Sequence, residues 1–183
     1  MAIDHNVRLF PDPVLMDVAE PLTFFNSIDQ VILDDVIKHM IEVCDRFDGH
    51  ALAAPQVGLS KRIVVIGSSK SELTPMVLLN PSYVPNTEPT VLGDESCLSL
   101  PGVVVPVSRW SKIAVKYTTM DHEVKLFDAE GLLARVIQHE IDHLDGKLII
   151  DHLSSLKRSM VVNKFMAYKK KTLRRTRHYL KVA

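Results

Sequence analysis

Cysteine is scarce in this chain: Cys44 and Cys97 are the two thiols in 183 residues. Two cysteines without a secretion signal make a poor disulfide framework, and they are too few for a closed Cys-rich structural metal site. Long apolar runs are missing as well. No stretch approaches the roughly 20 apolar residues of a membrane span, and the opening, MAIDHNVRLFPDPV, has no continuous apolar segment of the export type. The expectation is therefore a cytoplasmic protein in a reducing environment, with no membrane partner. Internal repeats, low-complexity tracts and Gly/Ser linkers are also absent. With 46% hydrophobic and 24% charged residues, the composition is that of an ordinary globular protein, and residues 1–183 are expected to form one domain with a real core.

Net charge is lacking too, since 22 Lys and Arg balance 22 Asp and Glu. That balance hides an asymmetry. From Asp151 to Ala183 ten Lys or Arg face a single acid, which leaves twelve basic and twenty-one acidic residues in the first 150. A tail of about +9 on a body of about −9 suggests a polyanionic partner for the tail, with a solvated helix face as the alternative.

What is present begins with the stretch VIQHEIDHLDG, residues 136–146. Four residues of α-helix turn about 400°, so His139 and His143 fall on one face and can grip one ion. Glu140, offset by about 100°, suits a carboxylate that takes a proton from a bound water without being a ligand. This is an HExxH arrangement. The helix that carries it follows DAEGLL and stops near Gly146, a residue suited to the position after a helix end.

Elsewhere, Pro11, Pro13 and Pro21 mark the opening as an extended arm. SIDQVILDDVIKHMIEVCDRF begins with a capping-box pattern, Ser27 to Gln30, and spaces Ile28, Val31, Ile32, Val36, Met40, Val43 and Phe47 as a helix face. Cys44 sits near that face and reads as a small buried thiol. RIVVIG, MVLLNPSYV, KIAVKYT and EVKLF read as strands. A last helix from about Ser154 carries Leu156, Met160, Phe165 and Tyr168 among its basic residues. Strands flanked by helices predict an α+β fold.

A catalytic HExxH site needs a third ligand. The extended pattern HExxHxxGxxH is followed as far as Gly146, but Ile149 stands where its last histidine belongs, so the metzincin reading fails. Asp151 and His152 lie just beyond, in no position that sequence alone can define. Cys97, within GDESCLSLPG, is the other candidate: a thiolate with two imidazoles suits a divalent transition metal and leaves one position for water. A half-buried turn thiol is the competing reading.

GHALAAPQ (Gly49 to Gln56), ESCLS (Glu95 to Ser99) and HEIDHLDG (His139 to Gly146) resemble the three motifs of the peptide deformylases, GxGxAAxQ, EGCLS and HExDH, in the family's order and at its intervals. The likeness runs from RLFPDPVL to the final helix. It implies mostly antiparallel strands around a central HExxH-bearing helix, with a C-terminal helix. It also implies removal of the formyl group from the N-terminal formyl-methionine of new proteins, with release of formate. By the same resemblance Cys97, His139 and His143 hold the metal, Fe²⁺ in the cell with Zn²⁺, Ni²⁺ or Co²⁺ able to replace it, and Glu140 is the general acid/base. Gln56, through its side-chain amide, and Leu98, through its backbone N–H, are the oxyanion donors. Gly49, His50, Ala51, Leu52, Glu95, Ser96, Leu132, Arg135 and Val136 are implied along the substrate cleft.

The partners that follow are N-formylmethionyl nascent peptides and, through the basic segment from about residue 154, the ribosome, with no DNA. Two departures stand out: Ala51 and Ser96 replace glycines of the motifs, at the expense of room or of a left-handed backbone. An arginine that many relatives carry a few residues after CLSxP is missing, because GVVVPV occupies that stretch; Arg109 is a possible substitute. Two other readings are a zincin-type peptidase, disfavoured by the missing downstream ligand, and a metal-binding relative with little turnover, disfavoured by the intact Glu140.

Overall fold

The run IVVI is apolar without alternation, and its place in the fold explains why. Ile63–Ile66 forms strand β2, which is covered on both faces. Val64 and Ile66 pack with Ala134, Ile137 and Ile141 of one helix, while Ile63 and Val65 pack with Leu33, Ile37 and Met40 of another. A strand buried on both sides must be apolar throughout. The structure, a computed structural model, describes residues 7–23, 27–67 and 73–179.

Helix α1 (Ser27–Arg46) leads into a short edge strand β1 (Ala51–Ala53), a 3-10 turn at Ala54–Val57 and β2. Strands β3 (Met76–Pro85), β4 (Thr90–Ser96), β5 (Val104–Trp110), β6 (Lys112–Thr118) and β7 (Val124–Glu130) follow. The chain then enters helix α2 (Gly131–Leu144) and ends in helix α3 (Ser155–Tyr179). One sheet runs β1-β2-β3-β6-β7 and a second is the β4-β5 pair; all pairs of these strands are antiparallel. The fold is α+β, as expected, with α2 packed between the two sheets.

Several local expectations need correction. Strands β1, β4 and β5 were not among the stretches read as strands. β1 spans three residues, while Gly93, Asp94 and Pro106 dilute the β signal of the other two. On α1 the buried stripe is Leu33, Ile37, Met40, Val43 and Cys44, while Val31 and Ile32 are exposed. Met40 and Val43 are common to the stripe read from sequence and the buried one, and only the neighbouring sheet decides which of the flanking apolar residues are covered. The capping pattern at Ser27–Gln30 and Ile28 lies outside the described side chains. Helix α2 starts at Gly131, so Asp128, Ala129 and Glu130 belong to β7 and the glycine opens the helix. On α3 Phe165 is buried, but Leu156 and Met160 are exposed and Val161 and Val162 do the packing.

The C-terminal stop of α2 is as expected. Gly146 takes φ 70°, and a Cβ there would stand 2.6 Å from the Met16 carbonyl oxygen. The N-terminal arm is extended as read, apart from a 3-10 turn at Pro13–Leu15, and it works as a clasp. Arg8 N donates to the Gln56 carbonyl (2.7 Å), Phe10 N donates to the Ser99 carbonyl (3.0 Å), and Lys169 Nζ of α3 donates to the Phe10 carbonyl (2.7 Å). Three distant segments are thereby tied together behind one cleft.

Candidate active site

Helix α2 presents His139 and His143 one turn apart, their rings edge to face with centroids 5.1 Å apart. β4 delivers Cys97 from the other side, at the start of a turn closed by Leu100 N donating to the Cys97 carbonyl (3.0 Å). Its Sγ is 3.2 Å from His143 Nε2. One donor atom from each of Cys97, His139 and His143 lies within 4.8 Å of the others, a separation that one ion between them can bridge. Burial would raise the Cys97 thiol, but the positive charge of the His143 and His139 rings outweighs it and holds the thiol well below its ordinary range. Asp151 and His152 take no part. Asp151 accepts from Leu148 N and Arg158, and His152 donates to Asp142. Ile149 is buried in the core.

Two buried side-chain atoms among the described residues have no hydrogen-bond partner, Glu140 Oε2 and His143 Nδ1. An orphaned carboxylate oxygen beside three converging donors fits a polar occupant such as an ion with its water. Burial raises the Glu140 carboxyl, the direction that suits a group trading protons near neutral pH. Gln56 is oriented by its neighbours: Oε1 accepts from Ala53 N (2.9 Å). The amide nitrogen is therefore turned toward Cys97 Sγ (3.6 Å) and Ser99 Oγ (3.4 Å).

A cleft of about 520 Å³ opens over this cluster, lined by Gly49, His50, Ala51, Ser96, Leu98, Leu132, Arg135 and Val136 among others. Leu52 departs from the expectation, because its side chain is fully buried in the core beneath β1. Glu95 does too. It borders the cleft, but its carboxylate is engaged by His139 Nδ1 (2.9 Å), by Arg109 through two bonds of 2.9 Å, and by Arg135 Nη1 (2.8 Å). Burial alone would raise that carboxyl; the bonds from His139 and Arg109 overcome it and hold it ionised far below the usual range. Ala51 and Ser96 have ordinary backbone, since Asp48, Asn80 and His122 are the non-glycine residues at positive φ among the described residues. The two substitutions therefore cost room and not strain.

Arg109 does not replace the missing cleft arginine. It is 4% exposed, clamped between Glu95 and Asp142 underneath the ligand set. An available signal was the phase of β5: Val105, Val107 and Arg109 are its inward positions, and an inward arginine requires a buried acid. Gln138 was also missed. Its amide accepts from Trp110 N (3.0 Å) and donates to Trp110 O (2.8 Å), pinning α2 to β5. Removing one partner of a buried ion pair costs about 3–5 kcal/mol, so Arg109→Leu should lower Tm by roughly 10 °C and weaken metal retention. Arg158→Ala, which breaks a partly exposed pair with Asp151, should move Tm by less than about 2 °C. Thermal melts of both variants check this; similar shifts would show that the buried network is not what supports the ligands.

Fold and site together fit a class: metal-dependent hydrolases in which one helix carries a pair of histidines able to hold an ion and a glutamate directly after the first of them. A sequence model of the polypeptide deformylase family matches residues 5–159. A peptide deformylase of Acidobacterium capsulatum is 43% identical over 157 residues, 85% of this chain and 89% of its own. One from Pseudomonas aeruginosa is 41% identical over 161 residues, 87% of this chain and 92% of its own. The crystal structure of a peptide deformylase from Legionella pneumophila matches with a TM-score of 0.81 at 35% identity, over 92% of this chain and 96% of that one. The chain belongs to the polypeptide deformylase family.

Proposed function

We propose that the chain hydrolyses the N-formyl group of N-formylmethionyl nascent peptides in the cytoplasm and releases formate. The observation that carries the reading is the convergence of Cys97, His139 and His143 beside the Glu140 carboxylate, whose Oε2 has no partner, at the floor of a cleft. Cys97, His139 and His143 would hold a divalent cation, which when bound would lower the pKa of a water molecule toward neutral. Glu140, buried at the cleft floor with one oxygen unpartnered, is the group placed to accept a proton from the attacking water and to return it to the departing amine. The Gln56 amide and the Leu98 N–H donate to the developing oxyanion, each worth roughly 3 kcal/mol in the transition state. The soft thiolate with two imidazoles suits a transition metal, and Fe²⁺ is the ion we assign from the family, with Zn²⁺, Ni²⁺ or Co²⁺ able to substitute.

The substrate backbone has an edge to bind. β1 is the outer strand of its sheet, and Gly67 N donates to the His50 carbonyl (2.8 Å). Hydrogen-bonded pairs alternate along an antiparallel ladder, so the N–H and C=O of Ala51 turn away from β2 and are open to an added peptide strand. Leu52 then serves as core beneath that edge. Leu132, 43% exposed, and Val136 form an apolar wall for the methionine side chain, with Gly49, His50, Ser96 and Arg135 at the rim. Formate release from formyl-Met-Ala-Ser by anaerobically purified protein, with its iron content measured, tests the reading. No formate from metal-loaded protein would overturn it.

The basic segment supports a second part of the proposal, weak docking on the ribosome through phosphate contacts. Not all of its charges are available. Lys169 is spent on the N-terminal arm and Arg158 on Asp151; the side chains of Arg174, Arg175, Arg177 and Lys181 lie outside the described residues. Removing residues 172–183 leaves the Lys169 clasp intact. The truncated protein should lose salt-sensitive co-sedimentation with ribosomes while hydrolysing free formyl-peptide at the full-length rate. Equal sedimentation of both proteins would return the tail to a solvated helix end.

A further inference from the structure

A second hollow, of about 310 Å³, lies beside the cleft between the start of β5 and helix α3. Pro101 and Gly102 line both spaces, so the turn they form is a shared wall. That wall is low: Gly102 is at φ +77°, and where a Cβ would stand there is nothing within 4 Å. Beyond it the hollow offers Val104, 61% exposed, and Tyr168, 48% exposed, over a floor that includes Phe165 and Val161, with the cation of Lys164 on its rim. Exposed valine and tyrosine in one concavity next to a cleft have the character of a binding surface and not of scattered surface residues.

A nascent chain is longer than the cleft, and the residues that follow the formyl-methionine have to leave it. An extended chain advances about 3.3 Å per residue, so a few residues suffice to cross a single turn. We infer that the chain downstream of the formyl-methionine passes over the Pro101–Gly102 turn into the hollow against α3, where Lys164 favours an acidic side chain among apolar ones. The inference rests on the deformylase reading. Its occupant is the substrate itself, because the hollow shares its Pro101–Gly102 wall with the cleft that holds the substrate's first residue. Helix α3 then reads the substrate in its first half, whatever its basic end binds.

The test uses full-length, metal-loaded protein and three substrates: formyl-Met-Ala-Ser, and two eight-residue peptides that extend it with either acidic and aromatic residues or basic and aromatic residues. kcat/KM for formate release is measured for wild type, Lys164→Glu and Tyr168→Ala. Wild type should prefer the acidic octapeptide over the basic one by about two- to five-fold, the scale of an exposed charge pair, and less in high salt. Lys164→Glu should reverse that preference, and Tyr168→Ala should lower kcat/KM for both octapeptides. The tripeptide should be processed equally by all three proteins. An unchanged octapeptide preference in Lys164→Glu, or equal losses on tripeptide and octapeptides, would overturn the inference and leave the deformylase reading intact. Absence of tripeptide turnover in wild type would overturn both.

Discussion

Glu140→Ala is expected to keep its metal and to lose deformylation by about 10²–10⁴-fold, the range that a positioned acid/base group contributes. Retention follows from geometry, because Cys97, His139 and His143 supply the converging donor atoms and Glu140 is not one of them. The loss follows from the state of the carboxyl. It is 5% exposed, one of its oxygens has no protein partner, and burial raises it, so it is costly to keep and is not used to hold the fold together. Metal content by elemental analysis, with formate release from formyl-Met-Ala-Ser, separates the two effects. A variant with full metal and a kcat within ten-fold of wild type would remove Glu140 from the proton transfers. A variant without metal would make it a ligand.

Cys97→Ser should lose most of its metal, whereas Cys44→Ser should retain it. The two thiols are both buried and differ in what surrounds them. Burial, with the nearby Glu140 and Asp45 carboxylates, pushes Cys44 up to about 12, so it stays a neutral thiol, donating to the Gly49 carbonyl at 3.3 Å. Serine can keep that bond. Cys97 faces two imidazoles that reverse the effect of burial, and a hydroxyl in its place remains protonated and is a poor partner for a transition metal. The drop in affinity should exceed the 10–100-fold that follows loss of a group merely supporting a ligand. Equal metal content in the two variants would mean that the thiol has been misassigned.

Chemistry was more legible than packing. The spacing of His139 and His143 is local, and any helix through those residues puts both rings on one face. Gly146 was legible for the same reason, since ending a helix in the left-handed region is a property of a few consecutive residues. The motif triplet added Cys97, which no local rule connects to a helix that begins 34 residues later. In contrast, the helical spacing on α1 correctly included Met40 and Val43 in the inner face but wrongly added Val31 and Ile32, because apolar residues on that segment spread over more than one face. Nothing within it says which one meets a sheet.

By itself the sequence determined the α+β class, the position of the HExxH helix and its stop, four of the seven described strands, and the placing of His139 and His143 on one helix face. Each depends on backbone preference or on side-chain type over a few neighbouring positions. Tertiary structure alone decided that Arg109 sits beneath the ligands and not in the cleft, and that Glu95 is consumed in orienting His139. It also decided that Leu52 is core, that Lys169 clasps the N-terminal arm, and that Pro101 and Gly102 divide two hollows. These outcomes depend on contacts between segments far apart in the chain. A buried arginine is settled by which carboxylates the folded backbone brings within about 3 Å of it, and that is information no window of the sequence contains.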